Sequence, residues 1–324
     1  MTPGLVGAFL IAFLSVWLLS RPRMAWMLDH PNARSLHAEP VSRGGGLGLL
    51  LGFLCGIALA PPLPLPAVPT WLGLVLLVLV SFIDDAHGLP VIWRLLTQSL
   101  AVALALFGFD ISWSWWPLLL PVGVWCVNLY NFMDGADGLA ASMAVFGFTA
   151  LGLAVFLVAG TEAAGVYALL ALAALGFLRW NLPRARIFLG DTGSTALGYL
   201  GFALSLHGLL RGWFSLWLPV AVFSPFLLDS TVTLLRRLLR GEAVWRAHRE
   251  HFYQLVVMRG GSHRRLLYLA WWLMAASAAT GLLGEWALRA LESGTALAVT
   301  ALLSVALGLI YTARIRMELN RRND

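Results

Sequence analysis

The sequence predicts an all-α, polytopic membrane protein: about eleven transmembrane helices, a single integral membrane domain over residues 1–324, and an active site on the cytoplasmic face. Three observations carry this. Of 324 residues 60% are hydrophobic and 12% charged, against about 25% charged in an ordinary soluble domain. Apolar runs recur along the whole chain, several near the roughly 20 residues that a bilayer-spanning helix needs. The arginines fall in alternate interruptions between those runs, as loops on one side of a membrane do.

The runs lie near 4–20, 46–60, 70–83, 91–108, 115–132, 139–159, 165–178, 195–210, 214–230, 266–284 and 294–312. The first has no positive charge before it and Arg21 and Arg23 after it. This reverses the order of a secretory signal peptide, so it is expected to remain as a spanning helix. The proline-rich 61–69 segment reads as a stiff connector. Cys55 and Cys126 lie inside apolar runs and read as small packing residues. They offer neither a disulfide framework nor a cysteine metal site.

Of the 22 basic residues, all arginine, 20 fall on one side of this layout, leaving Arg211 and Arg289 on the other. The positive-inside rule makes the arginine-rich side cytoplasmic, with the amino terminus outside and the carboxyl terminus inside. The net charge of +6 therefore describes membrane orientation, and no nucleic-acid partner is expected. On the same layout Asp84, Asp85, Asp134, Asp137, Asp191, His248 and His251 all reach the cytoplasmic face. Five separate segments bring ionisable groups there, which predicts one shared site.

Asp84 and Asp85 close the third run, and neighbours on a helix point about 100° apart. Either both simply mark where the helix meets water, or one carboxylate faces a metal or nucleophile while the other holds a cation or a backbone terminus. The segment 128–140 reads Asn-Leu-Tyr-Asn-Phe-Met-Asp-Gly-Ala-Asp-Gly-Leu-Ala. Asn128, Asn131 and Asp134 recur every third residue and stay near one helical face. Amide and carboxylate oxygens without cysteine suit a hard cation such as magnesium. Asp191, in a Gly-Asp-Thr-Gly turn behind Arg179, Arg184 and Arg186, reads either as a helix N-cap or as part of a metal-pyrophosphate site. His248 and His251, three apart and interleaved with Arg246 and Arg249, make a cationic and imidazole face for an anion or for lipid headgroups. Their spacing is wrong for a zinc protease. In the first loop, the glycines after Arg43 offer backbone amides to a phosphate.

In chain order, Pro31-Asn-Ala-Arg-Ser-Leu-His with Arg43-Gly-Gly-Gly, Asp84-Asp85, Asn131-Phe-Met-Asp-Gly-Ala-Asp-Gly, Phe188-Leu-Gly-Asp-Thr-Gly-Ser and Ala247-His-Arg-Glu-His form a specific series. It resembles the polyprenyl-phosphate N-acetylhexosamine-1-phosphate transferase family, glycosyltransferase family 4. The histidine motif lacks adjacent histidines, so the chain looks more like the O-antigen initiators than the muropeptide enzymes. The resemblance implies transfer of an N-acetylhexosamine (or 6-deoxy relative) 1-phosphate from a UDP-sugar to undecaprenyl phosphate. UMP leaves, and the product opens lipid-linked O-antigen or cell-surface polysaccharide synthesis. It implies Mg2+, with Mn2+ as the alternative, on Asp191 and Asn131. Asp84, with Asp85 and Asp134, takes the catalytic role. Asp137, Asn128, Arg246, His248, Arg249, His251, Arg43 and Arg94 take the substrates. The setting implied is the bacterial inner membrane, among membrane lipids, with a homodimer allowed.

Two other classes fit the sequence less well. A secondary transporter predicts charges near the bilayer midplane and an internal repeat; the acids here cluster at one face and no repeat is visible. A membrane scaffold would leave the five motifs without a task.

Overall fold

The computed structural model describes residues 1–21, 27–29, 40–243, 248–259 and 261–320. Within these the protein is an assembly of helices: α1 (Thr2–Leu19), α2 (Gly45–Leu59), α3 (Val68–His87), α4 (Val91–Gly108), α5 (Trp116–Phe132), α6 (Leu139–Asn181), α7 (Gly190–Leu210), α8 (Trp217–Val222), α9 (Ser224–Leu239), α10 (Phe252–Met258), α11 (His263–Ala290) and α12 (Ser293–Asn320). The only sheet among the described residues is a two-residue hairpin, β1 (Leu28–Asp29) against β2 (Val41–Ser42). Among the described residues five helices, α1, α3, α4, α6 and α11, are long and apolar enough to cross a membrane. The chain is an integral membrane protein.

Every apolar run coincides with helix, with two differences in how the runs are joined. The runs at 139–159 and 165–178 form one 43-residue helix bent at Gly160 (φ 80°, ψ −173°). Only glycine takes that conformation readily, so the two arms turn there without an intervening loop. The run at 214–230, expected as one helix, is two: α8 ends and α9 begins at Phe223. Pro225 lies in the first turn of α9, where its missing N–H costs nothing.

Small residues let the helices approach closely. Gly48, Gly52 and Gly56 recur every four residues along α2 and face α1, the membrane-helix device of small side chains at a contact. A methyl group on Gly52 would sit 2.5 Å from the Ala12 Cβ. At the centre α7 packs on α2, α3, α5 and α6 and is buried along most of its length. A hydroxyl pair at 2.9 Å, Ser81 with Thr195, ties it to α3.

This packing gathers one end of each helix in the same place. The first turns of α2, α4, α7 and α11 meet the last turns of α3 and α5 and both ends of the bent α6. The other end holds polar groups satisfied among themselves: Glu285 accepts from Ser215 and Arg289, and His207 bonds the Pro64 carbonyl.

Candidate active site

Asp84 and Asp85, adjacent on α3, point to different partners. Asp85 Oδ1 accepts from the backbone N–H of Asp191 at 2.9 Å. Its Oδ2 accepts from the Thr192 N–H at 2.9 Å and the Thr192 hydroxyl at 2.7 Å. The first amides of a helix have no partner within it, and here a carboxylate from another helix supplies one. Asp191 itself makes no side-chain cap to α7, so its carboxylate stays available, about a third exposed. Gly190 (φ 74°) makes this close approach feasible. A Cβ there would lie 2.6 Å from the Arg43 carbonyl oxygen and 2.9 Å from Asp85 Oδ2.

Asp84 takes the cation. Its Oδ1 accepts from the Leu89 N–H, and its Oδ2 lies 3.5 Å from Arg94 Nη1. The same Arg94 nitrogen is 3.8 Å from Asp191 Oδ2. One guanidinium from the first turn of α4 therefore sits between two carboxylates from α3 and α7.

Asp134 follows the end of α5 and faces the same cluster. Burial, then the negative charges of Asp191 and Asp85, push its carboxyl well above the usual carboxylate range; Arg43 opposes this weakly. Arg43 pairs with Asp29 across the β1–β2 hairpin. Of the three glycines after it, two have their amides committed within the protein. Gly45 N–H donates to the Phe188 carbonyl and Gly46 N–H to that of Leu189. Both lack a Cβ because α6 and α7 press against them.

The remaining predicted residues divide. Asn131 makes no side-chain hydrogen bond among the described residues and stands one turn before Asp134, open to a ligand. Asn128 is committed: its Nδ2 donates to Gln98 Oε1 at 2.6 Å while Gln98 Nε2 donates back at 3.3 Å. Asp137 is also tied down. Its Oδ2 accepts from Ala185 N–H at 3.2 Å, and His263 Nδ1 receives the Asp137 N–H at 3.2 Å. Of the arginines before Asp191, Arg179 and Arg186 lie over the Trp180 ring, 5.4 and 5.6 Å from its centroid.

In the histidine loop His251 is buried, with Nδ1 3.1 Å from Asp229 Oδ1. His248 is half exposed, its ring 4.9 Å from that of His251. Glu250 N–H donates to His248 Nδ1 at 3.3 Å. Burial, then the neighbouring His251 and Arg237, push the His248 imidazole down to about 4. At neutral pH it is an uncharged ring, the imidazole part of the expected face. Arg237 on α9 and Arg240 just past its end pair with Glu242 and Glu250, neutralising positive charge internally. Arg249 lies in this loop beside His248, while Arg246 and the 31–37 motif lie outside the described residues.

Gln98, His263, Asp229 as a loop anchor and Thr192 as a partner of Asp85 are the contacts that sequence reasoning missed. Each depends on a pairing across 22 to 126 positions. An amide one turn beyond Arg94 and a histidine at a helix start were the only local signals.

Among the described residues no three acidic, histidine or cysteine side chains are drawn together as a ready-made metal cage. Magnesium seldom uses one; it takes one or two carboxylates, keeps waters and binds substrate phosphates. Asp191, partly exposed, and Asn131, without an internal bond, fit that donor set. The excess of carboxylate charge around Asp134 fits it too.

The profile of the family described as "Glycosyl transferase family 4" matches residues 68–209, which contain Asp84, Asp85, Arg94, the 128–140 segment and Asp191. A "Decaprenyl-phosphate N-acetylglucosaminephosphotransferase" of Mycobacterium tuberculosis is 30% identical, the match covering 82% of this chain and 78% of the relative. A "Probable undecaprenyl-phosphate N-acetylglucosaminyl 1-phosphate transferase" of Bacillus subtilis is 29% identical over 85% of this chain and 84% of its own. An "Undecaprenyl-phosphate alpha-N-acetylglucosaminyl 1-phosphate transferase" of Escherichia coli is 26% identical over 87% and 83%.

Proposed function

Since the chain belongs to glycosyl transferase family 4, as one of its polyprenyl-phosphate sugar-1-phosphate transferases, we propose that it moves an N-acetylhexosamine 1-phosphate from a UDP-sugar to undecaprenyl phosphate. N-acetylglucosamine, named for the relatives, is the first donor to try. The observation that carries the reading is the meeting of Asp84 and Asp191 at Arg94, with Asp134 close enough to Asp191 and Asp85 to feel their charge, at one end of the bundle.

An oxygen of the lipid phosphate attacks the phosphorus that bears the sugar. The bond from that phosphorus to the bridging oxygen breaks, and the electron pair leaves with UMP. The new bond makes undecaprenyl-diphospho-sugar. Two anionic phosphates must be brought together, so positioning and charge stabilisation do most of the work. Asp84 orients the acceptor phosphate and takes its proton if it carries one. Arg94, lying between Asp84 and Asp191, is placed to follow charge as it passes to the leaving phosphate. Asp85 keeps the first turn of α7 in place and so fixes Asp191. His248 offers a neutral N–H to a phosphate oxygen. Magnesium on Asp191 and Asn131, when bound, neutralises the donor diphosphate.

A water-soluble donor and a lipid acceptor require a site at the membrane surface. The arginine distribution supports placing it on the cytoplasmic side of the bacterial inner membrane, with eleven spans, the amino terminus outside and the carboxyl terminus inside. Synthesis of a cell-surface polysaccharide such as O-antigen is the role proposed for the product. A carrier is not favoured, because the acids gather at one end rather than midway along the helices. The test is purified protein in detergent with undecaprenyl phosphate, magnesium and a panel of UDP-sugars, read by UMP release. Release with UDP-N-acetylglucosamine is expected; no UMP from any donor overturns the proposal.

A further inference from the structure

Asp229 is 2% exposed, well inside α9. A carboxylate in such a place is costly unless its oxygens are fully bonded. They are. Oδ1 accepts from His251 Nδ1 at 3.1 Å, Phe252 N–H at 3.0 Å and the Thr233 hydroxyl at 3.4 Å. Oδ2 accepts from Tyr253 N–H at 3.0 Å. The carboxylate is covered by the start of α10.

The contacts continue toward the carboxylate cluster. The His251 ring stacks near Phe132, the last residue of α5, with centroids 6.0 Å apart. The Tyr253 hydroxyl donates to the Phe132 carbonyl at 3.0 Å. A Cβ on Gly135 would lie 2.2 Å from that hydroxyl oxygen, so α10 presses on the backbone beside Asp134. His248, half exposed, stands next to His251 on the other side. Asp229 thus holds one histidine whose ring touches both the segment carrying Asn131 and Asp134 and the ring carrying the open imidazole.

We propose that Asp229 is a positioning residue for the phosphotransfer: through His251 Nδ1 and the first amides of α10 it fixes His248 against the Asn131–Asp134 wall. The inference rests on the transferase reading above. Asp229 touches neither substrate; its bond to Nδ1 sets the tautomer and ring plane of His251. Outer partners of metal-ligating histidines act in this way, at about 10- to 100-fold when lost, and a loss of that order is the expectation for this histidine pair.

The experiment measures UMP release from UDP-N-acetylglucosamine and undecaprenyl phosphate, with thermal unfolding of each variant in detergent. Asp229→Asn and His251→Asn are each expected to lower kcat roughly 10- to 100-fold with KM for the UDP-sugar little changed. Because Asp229 acts largely through His251, the double variant should lose far less than the product of the two single losses. Losses that multiply overturn the inference, as does wild-type kcat in either single variant that unfolds at a lower temperature. Should Asp229→Asn fail to fold, His251→Asn decides, and full activity there overturns it. A wild-type protein inactive with every UDP-sugar points instead to failure of the transferase reading.

Discussion

Asp85 on α3 and Thr192 on α7 are joined by two hydrogen bonds, from the Thr192 amide at 2.9 Å and its hydroxyl at 2.7 Å. A third bond, from the Asp191 amide, completes the same carboxylate. Asp85→Ala leaves three donors without a partner, at about 1–3 kcal/mol for a buried one. Both a lower unfolding temperature and lost turnover are expected, because Asp191 rides on the turn that loosens. Asp84→Asn should abolish turnover with the unfolding temperature nearly unchanged. If Asp85→Ala melts at the wild-type temperature, the capping role is wrong.

The division of labour between Asp84 and Asp85 shows how far the sequence could be read. Their adjacency on a helix required different directions, and a backbone terminus was one of the roles foreseen. Which carboxylate would take it depended on where α7 begins, which is set by packing on α2, α3, α5 and α6. Helix positions were legible for the same reason in reverse: apolar runs report burial in lipid or protein locally. The triple glycine was ambiguous because glycine permits close approach both to a phosphate and to another helix, and its local sequence does not distinguish them.

Magnesium binding should depend on pH in a definite direction. The Asp134 carboxyl is raised by burial and by Asp191 and Asp85, so at moderate pH protons compete with a cation for this cluster. The affinity for Mg2+ is expected to strengthen as pH rises from 6 to 8, with protons released on binding. Isothermal titration in two buffers of different ionisation enthalpy measures both. An affinity flat across that range removes the coupling. Excess EDTA should stop turnover, and added magnesium should restore it.

Lowering the pH should loosen the histidine loop. His248 is pushed down to about 4 in the folded protein, against about 6.5 for an unperturbed imidazole. A group with a depressed folded pKa contributes stability above the unfolded value and loses it as pH falls through the interval below. The contribution should therefore be complete above pH 6.5 and fade toward pH 4. The ring is half exposed, so solvent moderates the effect. Wild type is expected to lose more thermal stability than His248→Gln between pH 7.5 and 5. Equal losses would show that His248 is not the group involved.

The reciprocal amides Gln98 and Asn128 join α4 to α5 one turn beyond Arg94 and one turn before Asn131. Gln98 is 5% exposed. An amide pair in a membrane interior contributes about 0.6–1.7 kcal/mol, and Gln98→Leu leaves Asn128 Oδ1 without its donor. Asn128 Nδ2 keeps its bond to the Val124 carbonyl, so α5 should remain helical while its register against α4 loosens. That register sets the spacing between Arg94, which comes from α4, and Asn131 and Asp134, which come from α5. Gln98→Leu is therefore expected to reduce kcat more than its modest loss of stability explains. Asn128→Leu should match it, and the double variant should be no worse than either, since one pair is lost in all three. If Asn128 contacts a substrate directly, Asn128→Leu will instead raise KM for that substrate while Gln98→Leu will not. The comparison of the two single variants thus separates a bond between helices from a bond to a ligand.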